Sequence, residues 1–295
     1  MIPAPACPPE VLAGIADLEL VARIVVEGLV SGLHRSPFHG YSAEFSQYRH
    51  YRPGDDLKYV DWKLVARTDR IYTRQFRETT NMASAIVLDT SGSMAFPGAG
   101  SERTRPVSKF RYAVIAAAAL AHLISGQGDA VGLLAGEQFL PPRAGRQHLR
   151  GLLAGLSSLA PSGGFSAADS VRRASERLKR RGLLLVLSDF YDDEERTLTE
   201  LRRASRMGHE IVLLQILSRE EIDLPYRRDL EFADLESGRT LGINAGLARR
   251  GYQDAVAAFL ERWHGRAGAE GFQYSLIVTD TPPQRALRNV LLARS

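Results

Sequence analysis

The sequence predicts an α/β fold, a Rossmann-like open and mostly parallel sheet with helices on both faces. Three observations predict it. Ala85-Ile86-Val87-Leu88 and Leu183-Leu184-Leu185-Val186-Leu187 are uninterrupted apolar runs of strand length, the pattern of strands buried on both faces. Each run leads to a carboxylate, Asp89 directly and Asp189 after Ser188. Helical stretches alternate with further short strands downstream, and that alternation requires parallel strands joined by right-handed crossovers.

The length of 295 residues suits one α/β domain with an appendage, divided as residues 1–80 and 81–295. The 38 Lys and Arg against 34 Asp and Glu leave a net charge of +4, too mild to imply a nucleic-acid partner. Lys179-Arg180-Arg181 before Gly182 is the densest basic cluster. It is expected at a helix C-terminus, where the dipole favours cations and glycine closes the turn. The single cysteine, Cys7, excludes an intramolecular disulfide and points to a reducing compartment. Glu10, Asp17, Glu19 and Glu27 interrupt any signal-peptide core. No run of 18 uncharged apolar residues exists, so no membrane span is expected and the cytoplasm is the expected location.

Taken in order, Pro9 to about Val30 repeats Leu12, Ile15, Leu18, Ala22, Val25 and Leu29 at helical spacing. A helix packed on the body of the chain is expected; its acidic polar face argues against a membrane surface. An irregular charged segment follows. Pro53-Gly54 suits a type II turn, and Arg49, Arg52, Lys58, Lys63 and Arg67 interleave with Glu44, Asp55, Asp56 and Asp61 beside Tyr51, Tyr59 and Trp62. Bidentate Arg–carboxylate pairs would fix such a segment, or it serves as a partner-docking surface. Ile71 to Arg77 is expected as an exposed strand leading into the core. Phe110–Ile124 is a helix with a close-packing alanine run, and 130–135 and 137–140 are strands. Helices are expected over 146–156, 166–181, 197–207 and 252–269, strands over 210–217 and 274–278. A hairpin insertion is expected near 228–243 around Glu236-Ser237-Gly238. Thr281-Pro282 opens a terminal helix.

Ligands in open α/β sheets sit beyond the carboxyl ends of the strands, where the strand order reverses. Asp89, Ser91 and Ser93 end one such strand and offer only oxygen, which suits a hard cation such as Mg²⁺ (or Mn²⁺ or Ca²⁺). Asp189 joins them if its strand is the neighbour. Two carboxylates with hydroxyls leave open positions on a six-coordinate ion, which an acidic group of a partner can fill. The bland alternative is that the serines cap a helix and Asp89 bonds backbone amides.

At these residues the chain resembles a von Willebrand factor A-like domain, and more closely the MoxR-associated family known as domain of unknown function family 58. The resemblance rests on Glu44-Phe45, Arg49-x-Tyr51-x-Pro53-Gly54-Asp55-Asp56, Asp61-Trp62, Ala66-Arg67-Thr68, Asp89-Thr90-Ser91-x-Ser93-Met94, Gly128-Asp129, Leu140-Pro141-Pro142-Arg143 and Ser188-Asp189-Phe190. It implies a divalent cation on Asp89, Ser91, Ser93 and Asp189, and a MoxR-type AAA+ ATPase as partner. The family usually places threonine after a Gly-Gly pair. Here Phe165 follows Gly163-Gly164, so either Ser166 serves as that ligand or the ligand is missing.

A metal-dependent protein-binding module, not an enzyme, is the expected function. The rivals are a metal-assisted phosphoester hydrolase and a structural subunit with a vestigial site. No Gly-x-Ser-x-Gly elbow, P-loop, HExxH or Cys/His zinc spacing occurs.

Overall fold

The structure is a computed structural model and describes residues 6–30, 43–52, 55, 60–78, 82–96, 107–226, 229–233 and 240–292. The Pro53-Gly54 turn, Asp56, Lys58, Tyr59, most of the loop after Met94 and the Glu236-Ser237-Gly238 turn lie outside the described residues.

Two antiparallel strands come first, β1 (Ala43–His50) and β2 (Tyr72–Glu78). The main sheet then contains β3 (Ala83–Leu88), β4 (Ala130–Ala135), β5 (Gln138–Arg143), β6 (Gly182–Ser188), β7 (Glu210–Leu217) and β10 (Gln273–Val278). Its order is β10-β7-β6-β3-β4-β5, with only β5 antiparallel. The chain runs outward from β3 through β4 to β5, then crosses back to place β6 on the other side of β3. The strand order therefore reverses between β3 and β6, which meets the condition that the sequence left open.

Both faces of the central sheet are covered, which is why β6 is apolar from Leu183 to Leu187 and β3 from Ala85 to Leu88. Ile86, Leu88, Leu183, Leu185 and Leu187 face one helical layer, while Ala85, Val87, Leu184 and Val186 face the other. The first layer contains α2 (Leu18–Val30), α4 (Lys109–Gly126), α5 (Arg146–Ser158) and α10 (Pro283–Leu292). The second contains α6 (Ala167–Arg177), α7 (Glu194–Arg206) and α9 (Ala245–Ala269). Helix α4 is buried on nearly every side, so its alanines are small residues between the sheet and the outer helices. The insertion after β7 comprises a short helix α8 (Arg219–Asp223) and the antiparallel pair β8 (Asp229–Ala233) and β9 (Thr240–Asn244). Among the described residues, no helix is long and apolar enough to cross a membrane.

Several boundaries differ from the sequence expectation, each for a local reason. The N-terminal helix is two, α1 (Pro9–Ala13) and α2. Asp17 breaks the repeat because its Oδ1 accepts the N–H groups of Glu19 and Leu20, at 2.9 and 3.1 Å, and so starts a new helix. Residues 72–78 do not run into the main sheet; they pair with β1. The charged segment is less irregular than expected, since Trp62–Thr68 forms α3, capped by Asp61 Oδ1 on the N–H groups of Lys63 and Leu64. Lys179-Arg180-Arg181 does not end a helix: α6 stops at Arg177, where buried Leu178 turns extended. Gly182 then opens β6 and serves close strand approach, since a Cβ there would lie 2.1 Å from the Ala83 carbonyl oxygen.

Gly182→Ala must therefore push β6 off β3, and a loss of about 1–3 kcal/mol is expected by denaturant titration. Gly151→Ala in α5, where a Cβ meets nothing within 4 Å, should stabilise by up to about 1 kcal/mol in the same assay.

Candidate metal centre

Strands β3 and β6 deliver two carboxylates to one place. Leu88 is in register with Leu187, and the Asp89 N–H donates to the Leu187 carbonyl at 2.9 Å, carrying the ladder one residue past the strand. Asp89 is thereby set beside Ser188, whose Oγ donates to Asp89 Oδ2 at 2.5 Å. The other oxygen, Oδ1, accepts the Ser91 N–H at 2.8 Å. The serines do not cap a helix: Ser91 precedes a short 3-10 turn, Gly92–Ala95, with no side-chain capping bond. Instead Ser91 Oγ lies 2.9 Å from Ser93 Oγ, and Ser93 Oγ donates to Asp189 Oδ2 at 2.8 Å. Asp89, Ser91, Ser93 and Asp189 thus line one cavity of about 270 Å³, with Ser188, Phe165, Tyr191 and Asp192.

The turn after Asp189 is strained and held from several sides. Phe190 has a φ of 57°, a left-handed conformation disfavoured for a bulky residue. Its N–H donates to Ser188 Oγ at 2.9 Å, its ring packs on Trp263 at 4.8 Å, and Gln215 Nε2 donates to the Asp189 carbonyl at 2.7 Å. This sharp turn brings Tyr191 and Asp192 back to the cavity rim. Asp192 Oδ2 accepts the Ala167 N–H at 2.8 Å, while its buried Oδ1 has no partner.

Ser166, the sequence candidate for the third hydroxyl, is engaged elsewhere. Its Oγ accepts the Asp169 N–H at 3.2 Å as the N-cap of α6, and it is absent from the cavity lining, where Phe165 stands. The loop itself is in place: Ser162 N–H donates to the Thr90 carbonyl and Gly92 N–H to the Gly163 carbonyl, at 2.8 and 2.9 Å. A φ of 70° at Gly163 permits that close docking.

The residue missed at the sequence level is Lys109. Its Nζ lies 2.8 Å from Asp189 Oδ2 and 2.6 Å from Glu221 Oε1, with 0% of the side chain exposed. It is also the first residue of α4, a position where the helix dipole disfavours a cation. Two carboxylates offset both that dipole and the loss of water. Nothing in the sequence separates such a lysine from an ordinary helix flank.

The N-terminal charged residues form a separate cluster. Arg49 Nη2 donates to Asp55 Oδ1 at 2.8 Å, and Arg52 reaches Asp55 Oδ2 through its main-chain N–H. Thr73 Oγ1 donates to the same carboxylate at 3.2 Å, and Tyr48 Oη donates to the capping Asp61 at 2.8 Å. Arg67 and Trp62 are exposed, Trp62 to 61%.

The residues suit a hard divalent ion. Every donor is oxygen, and Asp192 Oδ1 is a buried carboxylate oxygen without a partner. Asp89, Asp189 and Glu221 outnumber the one ammonium of Lys109. Among the described residues no three His, Cys, Asp or Glu side chains are grouped to hold an ion, so an ion here would have to use the serine hydroxyls. Burial, then the Asp189 charge, pushes the Asp89 carboxyl up to about 7 against the pull of Ser188 and Ser91. Burial likewise raises Asp192.

The family described as Protein of unknown function DUF58 matches residues 47–261. This chain belongs to the DUF58 family. Rv1480 of Mycobacterium tuberculosis and Mb1516 of Mycobacterium bovis, both uncharacterised, are 32% identical to it over 264 residues, 85% of this chain and 79% of theirs. Among solved structures, an aerotolerance-related membrane protein from Bacteroides fragilis has a TM-score of 0.48 at 16% identity, covering 72% of this chain and 99% of that one. BatB from Bacteroides thetaiotaomicron gives 0.46 at 16% (72% and 98%), and the SpRpn10 VWA domain 0.40 at 15% (72% and 95%). The sheet order of this DUF58 protein, with β3 and β6 adjacent at the reversal point, is compatible with the von Willebrand factor A-like resemblance read from its sequence.

Two outcomes follow for this DUF58 protein. Asp89 holds its proton more tightly folded than unfolded, so its stabilising contribution is full below pH 3.8 and lost as pH rises toward about 7. In EDTA, stability relative to Asp89→Asn should fall across that window by up to about 1.4 kcal/mol per pH unit. Lys109→Met should lose about 3–5 kcal/mol in chemical denaturation with EDTA, since Asp189 and Glu221 are left buried without their cation.

Proposed function

We propose that this chain is a non-enzymatic protein-interaction module. In this reading Asp89, Ser91, Ser93 and Asp189 hold a divalent cation, Mg²⁺ (or Mn²⁺ or Ca²⁺), and an acidic group of a partner completes its shell. One observation carries the proposal: two neighbouring strand ends converge an all-oxygen donor set on one cavity where carboxylates exceed the cation present. The bound ion would supply a positive point of attachment. The chain's own residues do the rest: Ser188 and the Ser91 amide orient Asp89, Lys109 fixes Asp189, and Gln215 holds the turn. Metal and partner would then bind with positive coupling, each raising the other's affinity by one factor. A MoxR-type AAA+ ATPase is the partner that the family resemblance supports.

A second reading, a structural subunit with a vestigial site, is favoured by Ser166 serving as a helix cap and by Lys109 already pairing Asp189. The two separate cleanly. Under the first, Mn²⁺ at about ten times its dissociation constant raises the melting temperature by roughly two to five degrees, and Asp89→Ala abolishes the shift. Capture of the purified ATPase should then be lost in EDTA and in Asp89→Ala. Capture indifferent to both would leave the scaffold reading.

A further inference from the structure

A larger cavity, about 500 Å³, opens between α2, the C-terminal part of α4 and the first turn of α5. His122 in its wall stands roughly 20 Å along α4 from Lys109, thirteen residues at helical rise, so this cavity is separate from the cation cradle. Its charged and polar lining is Arg23, Arg146, Arg150, His122, Ser125 and Glu19. Three guanidinium groups therefore face one carboxylate.

Those groups are not committed to each other. Among the described residues, the Arg146 guanidinium makes no ion pair. Arg150 approaches Glu19, and Arg23 approaches Glu27, only to 3.9 Å, beyond hydrogen-bonding distance. The buried Nδ1 of His122 has no partner. The N-cap of α5, Gly145, carries no side chain to accept the first amides of the helix, so the positive end of α5 adds to the same field.

We propose that this cavity binds a multiply charged phosphoryl anion. Guanidinium forks match phosphate oxygens bidentately, which a carboxylate engages with half the charge. The lining has no aromatic ring besides the imidazole of His122, and Leu149 is its one large apolar side chain. Guanidinium groups dominate that lining, so the phosphoryl group itself is the recognised element. Arg146 is the anchoring residue, with Arg150 turning from Glu19 to the anion.

A soluble phosphorylated compound and a phospholipid headgroup share this chemistry, and two arms distinguish them. Inorganic pyrophosphate is titrated calorimetrically into the full chain in EDTA, which keeps the cation cradle out of the measurement. Vesicles of phosphatidylcholine with and without phosphatidic acid are tested by co-sedimentation. Binding in at least one arm is expected, weakened about tenfold by Arg146→Ala, strengthened about threefold by Glu19→Gln and unchanged by Asp89→Ala. Heat with pyrophosphate assigns the soluble source, and sedimentation alone assigns the lipid source. No binding in either arm at about 10 mM anion, a concentration that detects even millimolar affinity, overturns the proposal. So does binding that survives the double substitution Arg146→Ala, Arg150→Ala in a protein with unchanged melting temperature.

Discussion

The buried pair between Lys109 and Asp189 is the interaction on which the upper edge of the sheet depends. One ammonium joins three elements: the start of α4, the end of β6 and, through Glu221, the short helix α8. Glu221 in turn closes a capping box with Ser218, and its carbonyl accepts the Tyr252 hydroxyl of α9 at 2.7 Å. The insertion between β7 and β10 is thus tied to the site through one charge. A buried ion pair contributes little net stability compared with an apolar contact of the same shape, but removing one partner is severe. The pair therefore enforces geometry more than it adds stability.

That geometry has a chemical consequence. Asp189 Oδ2 receives both Lys109 and Ser93, so the carboxylate is fixed and half-neutralised before any ion arrives. A divalent cation beside it would share Asp189 with an ammonium, which tempers affinity. Asp89 behaves oppositely: it has no cationic partner among its hydrogen bonds, and its raised affinity for a proton marks the unmet charge. Proton and metal ion compete for the same oxygens, as they do for any ligand that must ionise. A weak ion held open to solvent suits capture of a second carboxylate better than a tight, closed shell.

Much of the fold was legible because its signals are local or periodic. Strands β3 and β6 declare themselves by continuous apolar runs, and both aspartates by their place just past them; that the two strands are neighbours is a condition the sequence left open, and the sheet order meets it. Ser91 and Ser93 were legible from spacing alone. Other features depend on partners far along the chain. Lys109 acquires meaning only from Asp189 and Glu221, 80 and 112 residues away. The pairing of β1 with β2 was hidden because mixed charge obscured their alternation, and α8 because five residues carry no period. Gly182 resembles a helix cap in sequence, and only the closeness of Ala83 shows that it is a strand contact. Ser166 was the nearest hydroxyl in sequence, but its place at the head of α6 set its role.

The central claim is that the oxygen cradle beyond β3 and β6 takes a divalent cation while Lys109 remains in place. Crystals grown with Mn²⁺ near pH 8, where Asp89 is ionised, test this directly through the anomalous scattering of manganese. An anomalous peak in the cavity lined by Asp89, Ser91, Ser93 and Asp189, with Lys109 still on Glu221, is the expected result. Manganese bound elsewhere, or a cradle holding only water at saturating Mn²⁺, would contradict it.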